Sequence, residues 1–262
     1  MSSSTPSIVA DDWDGHWASF NESASMNPAQ HYRHRLVLKA VREYRPRRLL
    51  DIGSGQGDLL ERVSRVLSAV QLFGLELSQT GVDRTISKVP KADVRCVDLL
   101  DGEAASRIAD IRADVAVCCE VLEHLDDPLA FLRTATGALA PGATLIVTVP
   151  GGPRSDFDRL IGHRRHYTPG SLRRLLQSAG FIVTRVDRAG FPFFNLYRFV
   201  DIGRGKRLAT DVADGSTGRL AEVAMRVFDL LFRFNLARSR WGWQNVAVAK
   251  WPTTTPPVRD GS

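Results

Sequence analysis

A glycine-rich segment, LLDIGSGQG, occupies residues 49–57 and is the strongest chemical signal in the sequence. An apolar run ends at Asp51, and Gly53, Gly55 and Gly57 follow at alternate positions. Glycine permits positive φ and lets a ligand approach the backbone without meeting a side chain. The helix expected after this turn would present free N–H groups and a partial positive charge. The segment therefore predicts a loop that binds the carboxylate or phosphate end of a ligand.

Two more acids stand at the ends of later apolar runs. Glu76 ends LFGLE, and Asp98 ends VRCVD. Open α/β sheets bind ligands at the carboxyl ends of their parallel strands. We therefore expect Asp51, Glu76 and Asp98 to line one site at that edge of the sheet.

The order of residues in the loop separates two kinds of cofactor site. Dinucleotide-binding folds use G-x-G-x-x-G, but Asp58 follows Gly57, and an acid there would oppose a pyrophosphate. The pattern D-x-G-x-G-x-G instead resembles motif I of the class I S-adenosylmethionine methyltransferases. The resemblance implies that the leading acid and the loop hold the methionine part of that cofactor, through Asp51, Gly53, Ser54, Gly55 and Gly57.

The same resemblance implies roles for the later acids. The Glu76 carboxylate would accept both ribose hydroxyls, with Leu77 beside it. Asp98 would reach the adenine amino group while Val97 or Leu99 packs on the ring.

The segment CCEVLEHLDDP, residues 118–128, resembles the E-V-L-E-H segment of a subgroup that includes the ubiquinone-biosynthesis O-methyltransferases. The resemblance extends over roughly residues 33–187. It implies that Cys119 contacts the cofactor and that Arg33 holds the cofactor carboxylate.

Methyl transfer is an in-line displacement in which the protein mainly aligns donor and nucleophile, and a base assists a hydroxyl nucleophile. His124, His163 and His166 are the candidate bases. Alternatively, His124 orders its own loop, and the GHRRHYT segment packs before the following helix. In the first interpretation, Arg164 and Arg165 would grip an anionic acceptor.

A metal is not expected, although a divalent metal is chemically possible. The alternative ligand set is Glu120, Glu123 and His124, which would share one helical face at i, i+3 and i+4. This set would suit Mg²⁺ or Zn²⁺.

Apolar runs alternate with amphipathic stretches, which predicts an α/β fold. We expect a Rossmann-like three-layer sandwich with a seven-stranded, mostly parallel sheet, an antiparallel last strand and a helical insertion before it. The predicted strands are 48–52, 70–75, 93–97, 113–118, 143–149, 181–187 and 245–251. The predicted helices are 28–44, one ending near 67, 79–88, 101–111, 128–139, 168–178 and 220–234. Pro141-Gly142 is expected to form the turn into the fifth strand.

The predicted organisation is a flexible N-terminal segment (1–27), a methyltransferase domain (28–251) and a disordered tail (252–262). Residues 190–242 form an insertion, read as a lid or acceptor-binding element, in which aromatic residues alternate with arginines. This insertion would line an apolar acceptor pocket, lie on a lipid surface as a peripheral contact, form a dimer contact, or simply pack in the core. The oligomeric state is therefore expected to be monomer or homodimer.

Charge is unevenly distributed along the 262 residues. Residues 1–150 hold 16 Lys+Arg and 20 Asp+Glu, a balance of −4, whereas residues 151–262 hold 19 and 9, a balance of +10. The basic part favours an anionic partner or a solvated surface. Three cysteines in apolar runs, and no secretory or membrane-spanning segment, favour a cytoplasmic protein.

The resulting prediction is an S-adenosylmethionine-dependent methyltransferase with a small-molecule acceptor, anionic or partly apolar. O-methylation of a natural-product, glycan or quinone intermediate is favoured. The alternatives are an RNA or other macromolecule methyltransferase and a non-catalytic cofactor-binding protein. Nucleic acid is not expected, because no N-P-P-Y-like segment follows the fourth apolar run.

Overall fold

The computed structural model describes residues 13–14, 27–204 and 219–253. The predictions of a flexible segment over 1–27 and a disordered tail over 252–262 therefore fall largely outside the described residues. Residues 205–218 of the insertion also lie outside them.

The centre of the fold is a seven-stranded sheet with the order β3-β2-β1-β4-β5-β7-β6. The strands are β1 (Arg48–Ile52), β2 (Gln71–Glu76), β3 (Asp93–Cys96), β4 (Ala113–Cys119), β5 (Leu139–Pro150), β6 (Ile182–Ala189) and β7 (Gln244–Lys250). Strands β1 to β5 pair in parallel, and β7 runs antiparallel to β5 and β6. The predicted fold class is confirmed.

Helices cover both faces of this sheet. They are α1 (Pro28–Tyr44), α2 (Asp58–Val66), α3 (Gln79–Lys88), α4 (Ala104–Ile108), α5 (Pro128–Ala135), α6 (Asp156–Leu160), α7 (Pro169–Ser178), α8 (Phe193–Arg204) and α9 (Arg219–Leu231). Asn27 caps α1, accepting a hydrogen bond from the amide of Ala29. The Thr168 side chain caps α7, where Pro169 is the first helical residue, as the sequence predicts.

Two hydrophobic cores form because consecutive strand residues face opposite sides of the sheet. In β1, Leu49 belongs to the core under α1 and α2, whereas Leu50 belongs to the core under α4, α5 and α7. This alternation produces the three layers.

A third cluster joins the insertion to the start of α1. Tyr32 packs against Phe194 of α8 and Phe232, which follows α9. The opposite side of these helices exposes apolar side chains, including Phe199 and Val227. None of the helices in the described parts of the chain combines the length and apolar character needed to cross a bilayer.

Several predicted boundaries are shifted by one to three residues, and three elements differ more. The helix predicted at 101–111 is shorter and spans only α4 (Ala104–Ile108). The helix predicted at 128–139 ends at Ala135 and is followed by a 3₁₀ turn. Pro141 and Gly142 lie inside β5 rather than before it. There the register shifts, because Ala113 pairs with Leu139 but Val115 pairs with Thr144. This irregularity accommodates Gly142 at φ +78°.

Candidate functional site

The glycine loop between β1 and α2 is held in place by β2. The amides of Gly53 and Ser54 donate to the carbonyl oxygen of Leu75, at 2.8 and 3.0 Å. The Glu76 carboxylate accepts from the amide of Gly55 at 2.7 Å and from that of Ser78 at 3.1 Å. Glu76 is thus a structural part of the loop.

Asp51, at the end of β1, is buried under the loop. Burial raises the pKa of its carboxyl well above the ordinary value, and the charge of Glu76 adds to the effect. Ser54 presents a buried hydroxyl oxygen without a hydrogen-bond partner among the described residues. The loop therefore places a carboxyl and a hydroxyl where a cationic or hydrogen-bonding ligand would satisfy them.

Asp58, the acid that follows the loop, contacts its protein neighbours. It forms an ion pair with Lys88 of α3 and accepts hydrogen bonds from Gln30 of α1 at 3.0 Å and from Gln56 at 3.2 Å. Asp58 therefore joins three helices around the loop.

Asp98 and Leu99 lie differently from the expectation. Strand β3 ends at Cys96, so Asp98 is exposed in the next turn, where it accepts from the amide of Leu100 at 2.8 Å. Leu99 is buried in the core, as is Val97. Packing of either side chain on an adenine ring stays a prediction.

Leu77 and Leu100 are the exposed apolar side chains at this edge. Each is 48% exposed, and they follow the neighbouring strands β2 and β3. They offer apolar surface on which a ring would pack.

The chain turns sharply after β4 at Glu120, which has a left-handed φ of +57°. Its carboxylate lies 3.5 Å from the Arg33 guanidinium of α1 and accepts a hydrogen bond from Gln244 of β7 at 2.8 Å. Cys119, directly before it, is half-buried at the end of β4, where it pairs with Thr148 of β5. The structure thus brings Arg33 and Cys119 to the same edge as Asp51.

Residues 120–124 form a turn, so the prediction that Glu120, Glu123 and His124 share a helical face is wrong. This turn is fastened to the GHRRHYT segment. The amide of Arg164 donates to the carbonyl oxygen of Glu123 at 2.8 Å, and the Tyr167 hydroxyl donates to that of Leu122 at 3.0 Å.

Both arginines of the GHRRHYT segment are engaged in this contact. The Arg165 guanidinium donates to the carbonyl oxygens of Leu125 and Asp126, each at 3.0 Å, and Arg164 forms an ion pair with Asp126. Both arginines therefore hold the loop in place, and their contact with an anionic acceptor stays a prediction.

Three histidines meet where the two segments join. The rings of His124 and His163 lie edge to face with centroids 4.7 Å apart. Nδ1 of His163 lies 3.1 Å from Nε2 of His166, and Nδ1 of His166 lies 3.1 Å from the carbonyl oxygen of Gly152. The three candidate bases therefore form one cluster.

The carbonyl oxygen of Gly152 ends this row of hydrogen bonds, and it determines which nitrogens of His163 and His166 carry a proton. A carbonyl oxygen only accepts, so Nδ1 of neutral His166 donates to Gly152. Nε2 of His166 then accepts from Nδ1–H of His163, which leaves Nε2 of His163 unprotonated. Burial, reinforced by His124, lowers the pKa of His163 well below its ordinary value, so this imidazole is neutral near pH 7.

Glu123 is fully buried beside these rings, and neither of its carboxyl oxygens has a hydrogen-bond partner among the described residues. Burial, with the charge of Glu120, raises the pKa of its carboxyl well above the ordinary value. One potential ligand atom from each of Glu123, His124 and His163 lies within 4.8 Å of the other two. This set contains His163 in place of the predicted Glu120, and Asp158, His163 and His166 form a second group among the described residues that could hold a metal ion.

The glycine loop and the histidine cluster adjoin. A Cβ placed on Gly53 would lie 2.5 Å from Cγ2 of Val121, which stands between Glu120 and Leu122 in the turn. A ligand held by the loop therefore lies beside the turn that carries Glu123 and His124.

Trp13 and Asp14, which fall in the segment predicted to be flexible, were not among the predicted site residues. The Trp13 ring lies edge to face with His124, centroids 4.9 Å apart. Asp14 accepts hydrogen bonds from the Ser78 hydroxyl and from the amide of Thr80 at 3.0 Å. No local periodicity in residues 1–27 signals these contacts.

Asp158 was also missed, although SDFD at 155–158 matches the capping-box pattern. Ser155 and Asp158 do form that box at α6, and Asp158 lies 3.8 Å from both His163 and His166. Gln244, the hydrogen-bond partner of Glu120, could not be predicted as a site residue, because the two residues are far apart in the sequence.

The profile of a family described as a methyltransferase domain matches residues 28–186, more than half of the chain. A ubiquinone biosynthesis O-methyltransferase of Ruegeria pomeroyi is 30% identical over 216 residues, covering 71% of this chain and 82% of the relative. One from Aeromonas salmonicida is 27% identical over 173 residues, covering 60% and 71%.

The fold also resembles that of solved structures. The plantazolicin methyltransferase BpumL, crystallised with a triazolic desmethyl analogue and SAH, superposes with a TM-score of 0.59. It shares 14% identity, over 93% of this chain and 95% of that one. At this identity the likeness concerns the fold.

Proposed function

Since this chain belongs to the methyltransferase-domain family and is an S-adenosylmethionine-dependent methyltransferase, we propose that its acceptor is a hydroxyl group of a small molecule. Relatives named ubiquinone biosynthesis O-methyltransferases support an oxygen acceptor. The aromatic insertion supports an acceptor that is partly apolar, of quinone, natural-product or glycan type.

In this proposal the cofactor lies along the carboxyl edge of β1, β2 and β3. The glycine loop and the buried Asp51 hold its methionine part, with Arg33 near the carboxylate. Glu76 accepts the ribose hydroxyls, and Leu77 packs near the adenine ring. The buried position of the acids supports these roles, because hydrogen bonds to a carboxylate contribute about 1.5–3 kcal/mol.

The observation that carries the proposal is the hydrogen-bonded row of His163, His166 and the Gly152 carbonyl oxygen, which leaves Nε2 of His163 unprotonated in a turn assembly that adjoins Gly53. When bound, S-adenosylmethionine would supply its methyl group to the acceptor oxygen, and the electrons of the broken carbon–sulfur bond would pass to sulfur. The hydroxyl proton passes to an imidazole, with His163 as the first candidate and His124 as the second. A positioned base of this kind contributes about 10²–10⁴-fold.

A divalent cation is the second candidate component. Glu123, with two buried oxygens that lack a hydrogen-bond partner among the described residues, fits such an ion together with His124 and His163. A cation there would supply Lewis-acid stabilisation of the acceptor oxygen. In either case the protein's own residues orient the acceptor beside the sulfonium.

The test uses methyl-labelled S-adenosylmethionine and a panel of catechols, hydroxylated aromatic acids and sugars. We expect an O-methylated product by mass spectrometry, and a loss of about 10²-fold or more in kcat for His163→Ala. Calorimetry should show unchanged S-adenosylhomocysteine affinity in that variant.

Parallel assays with EDTA, and with Mg²⁺ or Zn²⁺ restored, separate the imidazole base from the cation. Methylation confined to amines or to RNA would contradict the hydroxyl acceptor. Full activity of His163→Ala would remove that residue from the reaction.

A further inference from the structure

Asp158 is a buried carboxylate with three hydrogen bonds to one oxygen. Its Oδ2 accepts from the amide of Ser155 at 2.7 Å, from the Ser155 hydroxyl at 2.8 Å and from Nη2 of Arg198 at 2.6 Å. Its own burial is nearly complete. Such a group is stable as an anion only while its partners remain in place.

The same residue faces the histidine pair. Oδ1 of Asp158 lies 3.8 Å from Nδ1 of His163, and the carbonyl oxygen of Asp158 accepts from the amide of His163 at 2.8 Å. Nδ1–H of His163 therefore has two acceptors nearby, and it is hydrogen-bonded to Nε2 of His166. Where the Asp158 carboxylate sits decides which acceptor this proton takes.

Arg198 controls that position from a different part of the chain. It belongs to α8 of the insertion, beyond residues 28–186, and its side chain is only 13% exposed. Its second guanidinium nitrogen, Nη1, lies 3.7 Å from Asp201, so the arginine is fixed at both ends. The ion pair between Arg198 and Asp158 thus connects the insertion to the histidine pair.

We propose that Arg198 is a positioning residue for methyl transfer: by holding the Asp158 carboxylate, it keeps His163 hydrogen-bonded to His166 with Nε2 free for the acceptor proton. This inference rests on the proposed function, because it assumes that His163 serves the acceptor. It gives the insertion a second task besides lining an acceptor site, since displacement of α8 would misalign the imidazole.

The physical reason lies in competition for one proton. Without the guanidinium, the buried carboxylate loses its strongest partner and turns towards Nδ1–H of His163. The hydrogen bond to His166 then breaks, and the ring leaves its orientation. Small misplacements of a reacting group cost up to about 10²-fold in rate.

The experiment compares Arg198→Met, Arg198→Lys and Arg159→Met in the full chain. Arg159 is the matched control, because it lies in α6 next to Asp158 but is 53% exposed and pairs with Asp156. We expect Arg198→Met to lose about ten- to a hundredfold in kcat, with the KM for S-adenosylmethionine within twofold. Arg198→Lys should recover part of the loss, and Arg159→Met should match wild type.

The double variant Arg198→Met/Asp158→Asn supplies a test of coupling. Asparagine removes the buried charge, so the combined loss in kcat should be smaller than the product of the two single losses. Independent losses that multiply would overturn the proposal, as would an unchanged kcat in Arg198→Met.

A readout without turnover separates this inference from the acceptor assignment. Imidazole ¹⁵N shifts, recorded with S-adenosylhomocysteine present, should show His163 protonated at Nδ1 in wild type and altered in Arg198→Met. If no hydroxyl acceptor is found, this signature still decides the role of Arg198. Identical His163 spectra in the two proteins would overturn it.

Discussion

Four buried carboxyl groups shape the site, and their surroundings differ. Glu76 is compensated by two backbone amides, and Asp158 by Arg198 and Ser155. Asp51 and Glu123 have raised pKa values, because the cost of burying their charge outweighs the stabilisation that neighbouring groups give to the carboxylate. At the residue scale, compensated carboxylates act as fixed anions that build the site. The two carboxyls with raised pKa values are those that a cationic ligand would stabilise most.

Glu76 offers the sharpest test of the cofactor edge. In Glu76→Ala, S-adenosylhomocysteine affinity should fall by about 1.5–3 kcal/mol, because the ribose contacts and the amide anchors of the loop are both lost. Isothermal titration calorimetry measures this directly. Asp83→Ala is the control, since Asp83 is an exposed acid on the adjacent helix α3. Equal affinity in wild type and Glu76→Ala would remove Glu76 from the ligand site.

At the scale of elements, boundaries marked by strong local signals could be predicted. Helix α1 begins at the predicted Asn27-Pro28, and α7 at the predicted Thr168-Pro169, because a capping side chain and proline act locally. Strand β1 was predicted with both ends correct, since the glycine loop stops it.

Contacts between loops could not be predicted in the same way. The cluster of His124 and His163 depends on the Arg164 amide bonding to Glu123, which joins residues far apart in sequence. Periodicity reports only which side of one element is buried. The three histidines were found by their chemistry, but their order in a hydrogen-bonded chain needed the fold.

The glycine loop predicts a clear effect of one methyl group. Gly53 has φ +75°, and its added Cβ would overlap Val121, so Gly53→Ala should cost about 2–4 kcal/mol through backbone strain and overpacking. Cofactor affinity should fall as the loop shifts. Gly102→Ala is the matched control, because no atom lies within 4 Å of its added Cβ.

Urea unfolding and calorimetry on both variants test this prediction. Gly53→Ala/Val121→Ala should regain part of the stability, because the second change removes the overlapping methyl group. If Gly53→Ala unfolds like Gly102→Ala, the close contact between the loop and the turn is not part of the folded protein.

The molecule as a whole is organised around α1. Tyr32 contacts the aromatic cluster of the insertion, and Arg35 donates to Asp229 of α9 at 2.9 Å. Arg33 reaches Glu120 at the site, while His34 is buried at the α2 side of the helix, near Asp58 and Arg62. One helix therefore links the cofactor half to the insertion, so the strength of its packing affects global stability.

His34 makes that packing sensitive to acid. Burial, helped by the positive charge of Arg62, lowers the pKa of His34 from 6.5 to about 3. Below pH 6.5 the unfolded chain binds a proton that the folded chain refuses until about pH 3. The contribution of His34 to the free energy of unfolding is therefore largest above pH 6.5. It decreases as the pH falls below that value, by up to about 1.4 kcal/mol per pH unit.

His34→Leu removes this titration and places an apolar side chain of similar size in the helix packing. Between pH 7 and pH 5, the unfolding free energy of wild type should fall by about 2 kcal/mol more than that of the variant. Urea unfolding at the two pH values measures the difference, and pH 7 provides the reference because the histidine is mostly neutral in both states there. If the unfolding free energies of the two proteins change in parallel with pH, His34 binds its proton equally well in the folded and the unfolded chain. In that case α1 is not packed against α2 as the structure has it.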